Sequence, residues 1–203
     1  MGLSKGFKRK FSFWQLYISF IFIPRASLNL VRNSQNKLLD KKFIERLQLV
    51  VTEVNGCPAC SYQHTKMALR QGMSNEEISS FLSGSDDFIK PDEAKAIMFA
   101  QHFADSKGLP EKYAYEAIVK EYGEEQASII LSAVQIMLAG NMYGIPYSAF
   151  QSRLAGHAYQ DSSLIYELFM LLGGLVILPV ALVHGVLRGL IGLPNMPNMP
   201  NNT

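Results

Sequence analysis

The sequence predicts an all-α protein with one folded domain and apolar additions at both ends. Three observations carry this. Leu39, Phe43, Leu47, Val50 and Val54 recur at helical spacing. The stretch from Glu125 to about Tyr143 is apolar nearly all round, as a central buried helix is. No run of alternating apolar and polar residues reads as a strand. The chain has 203 residues, 48% of them hydrophobic and 18% charged, which is enough apolar material for one core.

The amino end is basic. Residues 1–35 hold Lys5, Lys8, Arg9, Lys10, Arg25 and Arg32 and no acid, a charge of +6. Residues 36–162 hold 12 basic and 16 acidic side chains, net −4, and residues 163–203 add only Glu167 and Arg188. A basic end on an acidic body points to an anionic surface as partner. It points away from nucleic acid, because no basic stripe runs through the folded part. Phe11–Ile23 is apolar except for Ser12, Gln15 and Ser19. Pro24-Arg25-Ala26 lacks the small-x-small site of a cleaved signal peptide. Two readings stand: an interfacial helix with Trp14 and Tyr17 at headgroup level, or a helix packed on the protein's own core or a neighbouring subunit.

Gln35 to Val54 reads as a long helix, its apolar arc widened by Leu38, Ile44, Leu49 and Val51. Glu45 falls on this helix away from the main stripe, where a glutamate is ordinarily a solvated charge. Next comes the only cysteine pair, in Asn55-Gly56-Cys57-Pro58-Ala59-Cys60. Asn55-Gly56 is a turn signal. Pro58 suits the first helical position, which makes Cys57 the N-cap. Cys60, His64, Met67 and Ala68 then share one helix that ends near Gly72, and Cys60 and His64 are i,i+4 neighbours on one face. Free N–H groups at the helix mouth favour a thiolate at Cys57.

A dithiol so placed beside an imidazole reads as redox chemistry. Two cysteines in CxxC spacing fit a catalytic pair in a reducing compartment better than a secreted disulfide scaffold. Other readings compete. Cys57, Cys60, His64 and Glu45 are four potential zinc ligands, although no second ligand pair exists. A thioredoxin-type fold would need strands around the motif. Two inert buried cysteines are the plain alternative. His102, His157 and His184 lack a partner pattern and read as structural; Tyr143, Tyr147 and the methionines read as packing.

Ser74-x-x-Glu77 is a capping box that opens a short helix to about Leu82. Gly84–Lys90 is a loop. Pro91-Asp92-Glu93 opens a helix to about Asp105, and Pro110-Glu111 opens another to Tyr122. Gly123 and Glu124 introduce the central helix, which Gly144-Ile145-Pro146 should kink or break. Leu168–Leu187 carries no formal charge, and twenty apolar residues are about enough to cross a bilayer. Pro179 would kink that helix and Gly173-Gly174 would allow close packing. A spanning or re-entrant segment is one reading; a helix buried in an oligomer is the other. The tail repeats Asn-Met-Pro at 195–197 and 198–200 and is expected to be disordered.

The pattern Glu45-x11-Cys57-x2-Cys60-x3-His64 resembles the motif of the AhpD-like alkylhydroperoxidases, in the carboxymuconolactone decarboxylase superfamily. The agreement continues through Asn55-Gly56, Ala68-Leu69-Arg70-Gln71-Gly72 and Ser74-Asn75-Glu76-Glu77-Ile78. The resemblance implies an AhpD-like helical bundle over residues 36–155. Residues 1–35 would then be an extension, 156–193 an added apolar C-terminal helix, and 194–203 a tail. It implies a thiol-dependent peroxidase that reduces organic hydroperoxides and is restored by a dithiol reductant. Cys60 would be the peroxidatic thiol, Cys57 the resolving thiol, and His64 and Glu45 the proton relay. No cofactor and no metal are implied. A homo-oligomer, trimer or hexamer, is expected, in the cytoplasm, with membrane association suggested by the apolar ends.

One departure stands out. The family's namesake has a second histidine directly before the peroxidatic cysteine, where this chain has Ala59. The decarboxylase branch lacks the cysteine pair, which disfavours lactone decarboxylation. A membrane-associated thiol–disulfide oxidoreductase and a non-enzymatic helical oligomerisation module are the alternatives to a peroxidase.

Overall fold

The computed structural model describes residues 6–196. It contains eight helices: α1 (Phe13–Ile21), α2 (Ile23–Asn36), α3 (Lys41–Asn55), α4 (Pro58–Arg70), α5 (Asn75–Ser83), α6 (Ala94–Asp105), α7 (Lys112–Leu154) and α8 (Leu164–Leu190). No strand occurs among the described residues, and the fold is an all-α bundle. Its axis is α7. Ile130, Leu131, Ala133, Val134, Leu138 and Met142 bury that helix from all sides against α1, α2, α3, α4, α6 and α8.

The helix expected from Gln35 starts later. α2 runs to Asn36 and ends where Lys37 adopts a left-handed φ of 53°. Asn33 holds the turn: its Nδ2 donates to the Leu39 carbonyl, and its Oδ1 accepts from the Leu39 N–H. A buried amide thus does the work of two backbone partners, and α3 begins only after Asp40. The boundary expected at Gly123 is a kink (φ 77°, ψ 163°) within α7, and no break follows at Gly144-Ile145-Pro146. Pro146 lacks the N–H that Met142 would accept. The turn is held regardless, because Ile145, Pro146 and Ala149 are buried and Ser148 Oγ donates to the Gly144 carbonyl. α8 likewise continues through Pro179.

Residues 7–11 form a strap across the bundle. Lys8 pairs with Glu53 on α3 at 2.5 Å, and Arg9 pairs with Asp105 at the end of α6. Lys10 lies over the Tyr166 ring. The strap thus holds three of the six amino-terminal cations, and Lys5 lies outside the described residues. Arg25 and Arg32 are exposed, with no carboxylate partner among the described residues.

α1 packs on α7 and α8 through Leu16, Phe20 and Ile21, with Trp14 turned outward. α7 and α8 are both long and apolar enough to cross a membrane by length and composition, yet their environments differ. The most apolar window of α7 is 72% buried in the protein, and that of α8 only 28%. α8 buries Met170, Leu171, Gly174, Ala181 and Gly185. At Gly185 a side chain would lie 2.0 Å from the Ile21 carbonyl, so only glycine allows this approach. Arg153 on α7 pins the start of α8 by pairing with the buried Glu167 at 2.7 Å. The tail is partly held: Gln135 Nε2 donates to the Asn195 carbonyl and Met196 is buried. The rest of the Asn-Met-Pro repeat lies outside the described residues.

Candidate active site

The site forms where α3 hands over to α4. Gly56 caps α3 with φ 68°, and a Cβ there would meet Lys8 Cβ at 2.4 Å, so both backbone and strap require glycine. Cys57 is the N-cap of α4 and Pro58 its first residue, as expected. Cys57 Sγ accepts the Cys60 N–H at 3.3 Å, one of the free donors of the first turn. The two sulfurs are joined as a disulfide with the Cα atoms 5.3 Å apart. Cys57 is fully buried and Cys60 is 9% exposed.

α7 closes over the sulfurs. A Cβ on Gly144 would sit 2.8 Å from both Sγ atoms, so the disulfide packs directly on a bare stretch of helix backbone. Cys60 Sγ is 3.7 Å from the Gly140 carbonyl, which can accept its S–H once the pair is reduced. Ser148 Oγ accepts the Ala59 N–H at 3.1 Å and ties the first turn of α4 to α7. Beneath lies a buried polar chain, in which Asn55 Nδ2 donates to Asn141 Oδ1 and Asn141 Nδ2 donates to Thr52 Oγ1.

Glu45 is not a solvated charge. It is 1% exposed and its Oε1 is 2.6 Å from His64 Nδ1. Gln71, just past α4, donates from Nε2 to Glu45 Oε2 at 3.3 Å. With Nδ1–H donating to the carboxylate, the imidazole keeps its lone pair on Nε2. The structure thus brings Glu45 to His64 and places His64 one turn after Cys60. Glu45 is left free for this pairing because the adjacent Arg46 is engaged elsewhere. Arg46 makes two bonds to Glu93 on the approach to α6, at 2.6 and 2.5 Å, and one to Glu77 on α5 at 2.9 Å. This ion-pair cluster locks α3, α5 and α6 behind the site.

The sequence marks Gly144 only as a helix breaker and Gln71 only as part of the motif, and it does not mark Ser148 or the Arg46–Glu93 pair, so none of these is placed at the site. Any further sequence signal is type: a glycine inside a helix, and charges within apolar periodicity. Two of the remaining histidines make bonds within the fold. His102 Nε2 accepts the Glu111 N–H, and His184 Nδ1 bonds the Tyr17 hydroxyl. Among the described residues, no group of three His, Cys, Asp or Glu side chains is arranged to hold a metal ion.

Fold and site together define an all-α protein with a CxxC disulfide at a helix N-terminus beside a buried Glu–His pair. Residues 25–101 match the model of the Carboxymuconolactone decarboxylase family, and the matched segment carries Glu45, Cys57, Cys60 and His64. It begins on α2 and ends within α6. The Uncharacterized protein YdfG of Bacillus subtilis (strain 168) is similar at 24% identity over 105 residues, covering 50% of this chain and 71% of that protein. No solved structure matches the chain.

Proposed function

We propose that the protein is a thiol-dependent peroxidase acting on organic hydroperoxides through Cys57 and Cys60. The observation that carries this reading is the 2.6 Å contact by which Glu45 of α3 meets His64 on the helix that carries Cys60. In the reduced protein, His64 Nε2 takes the Cys60 proton, and Glu45 stabilises the imidazolium through Nδ1–H. The Cys60 thiolate attacks the distal oxygen of the hydroperoxide. The O–O bond breaks, Cys60 becomes a sulfenic acid, and the departing alkoxide takes the proton from His64 to leave as an alcohol. The Cys57 thiol displaces the sulfenic hydroxyl as water, giving the disulfide.

A dithiol reductant restores the pair by exchange and is itself oxidised to a disulfide. Attack on Cys60, the less buried sulfur, expels Cys57 as a thiolate. That thiolate leaves at the helix N-terminus with the Cys60 N–H already directed at it, which makes it a good leaving group. On this reading the two ends of the motif divide the labour. The Glu45–His64 pair activates the attacking thiol, and the helix mouth stabilises the departing one.

Ala59, in place of the family namesake's histidine, favours a second reading: dithiol–disulfide exchange with another thiol substrate and no peroxide step. Thiol titration of the reduced protein, with and without cumene hydroperoxide, separates the two. The peroxidase reading expects both thiols to be lost at a small excess of hydroperoxide and regained on adding dithiothreitol. Two titratable thiols after prolonged exposure would overturn it.

A further inference from the structure

The outer face of α8 has no partner among the described residues. Ile165, Leu172, Val176, Val183 and Leu190 fall within a narrow arc of the helix, each 60–82% exposed. The stripe runs about 37 Å at 1.5 Å per residue. No charged residue interrupts it between Glu167 and Arg188. Monomer surfaces rarely expose an unbroken apolar patch of this length. Trp14, 66% exposed, borders it through Tyr17, whose hydroxyl bonds His184 of α8.

Beside the C-terminal half of the stripe runs a groove of about 610 Å³ between α2 and α8, with Leu28, Val186 and Leu190 in its wall. Arg25 and Arg32 line it from α2. They are seven residues apart, so they share a face about 10 Å from each other. Arg25 gives one N–H to the Leu193 carbonyl, and neither Arg25 nor Arg32 has a carboxylate partner among the described residues. Among the described residues, Glu124 is the one carboxylate in the groove lining.

We infer that this face docks on an anionic bilayer. The α8 stripe enters the headgroup–acyl boundary, and Arg25 and Arg32 take lipid phosphates at its edge. Charge complementarity selects lipid over a second copy of the chain, because among the described residues the groove lining of a copy brings one carboxylate, Glu124, against two arginines, whereas a phosphate surface meets both. The orientation is flat. The inner face of α8 packs on α1, α2 and α7, and a spanning pose would carry Arg25, Asn29 and Arg32 into hydrocarbon. A helix with one buried face and one apolar outer face instead lies in the interface. This inference does not rest on the thiol chemistry.

The test is co-sedimentation of the full-length protein with vesicles of phosphatidylcholine alone or mixed equally with phosphatidylglycerol. The wild type is expected to partition onto both and to prefer the anionic vesicles. Arg25→Gln and Arg32→Gln should each lower anionic binding about 5-fold, and together about 30-fold, leaving the weaker neutral binding in place. Val176→Glu with Val183→Glu should abolish both; these positions are exposed, so helicity by circular dichroism should be unchanged. Wild-type protein that stays in the supernatant with anionic vesicles would overturn the inference. So would a vesicle-indifferent dimer that the two glutamates dissociate, which would assign the stripe to a second copy.

Discussion

Gly144→Ala is the sharpest structural test of the dithiol's packing. Gly144 lies inside α7, where alanine is ordinarily the better residue by about 1 kcal/mol. Here the added Cβ would sit 2.8 Å from both Cys57 Sγ and Cys60 Sγ, roughly 1 Å inside ordinary contact. Overpacking of this kind costs about 1–3 kcal/mol, and two sulfurs tethered to each other and to one helix end place the cost near the top of that range. The net expectation is a loss of about 2 kcal/mol in the oxidised protein after the helix gain is subtracted. Reduction lets the sulfurs rotate apart, so the loss should be smaller in the dithiol form. The substitution should therefore favour the reduced pair by up to about 40 mV. Gly140→Ala is the control: its Cβ would meet only Met137 Cε, at 4.0 Å, and should stabilise. The assay is urea denaturation of oxidised and reduced protein, with equilibration in a dithiothreitol redox buffer. If Gly144→Ala stabilises the oxidised protein as Gly140→Ala does, the sulfurs do not pack on α7 as described.

Further outcomes follow from the same contacts. Glu45→Gln and His64→Phe should each slow the peroxide step by about 10²-fold or more and slow alkylation of reduced Cys60, with helicity retained; unchanged rates in both would assign the pair to structure. Arg46→Met should cost about 3–5 kcal/mol in denaturant unfolding, because it leaves the buried Glu93 with only the exposed Lys90 and takes the cation from Glu77. A pH series should show the Arg153–Glu167 pair. The Arg153 guanidinium lowers the Glu167 pKa, so its contribution is fully present above the unfolded carboxyl pKa of about 4.3 and is lost as pH falls through the depressed folded value. Glu167→Gln should flatten that acid limb of the stability curve; an unaltered limb would contradict the pairing.

The chemistry of the site was more legible in the sequence than its architecture. Asn55-Gly56, Cys57 and Pro58 state a C-cap, an N-cap and a first turn by local rules, and the structure follows them. Periodicity misplaced Glu45, because a stripe is drawn from apolar residues and a buried carboxylate falls off it by definition. Only the motif pointed inward. Arg46 hid for the same reason, and its partner Glu93 lies 47 residues away. The break allowed for at Pro146 yielded to tertiary context: burial of Ile145, Pro146 and Ala149 outweighs one missing hydrogen bond. The reason for Gly144 is a contact between helices distant in sequence, which no local rule carries. Composition marked both apolar ends as unusual, but only the structure separates α1, which packs on the core, from the outer face of α8, which does not.

The most direct test of the peroxidase reading is to find which sulfur meets the peroxide. Reduced Cys57→Ser and Cys60→Ser proteins would each be treated with one equivalent of cumene hydroperoxide in the presence of dimedone, and the adduct located by mass spectrometry. The account predicts a sulfenic-acid adduct at Cys60 in Cys57→Ser, reduced by Glu45→Gln and by His64→Phe. An adduct at Cys57 in Cys60→Ser, with none at Cys60 in Cys57→Ser, would contradict it and reverse the roles of the two thiols.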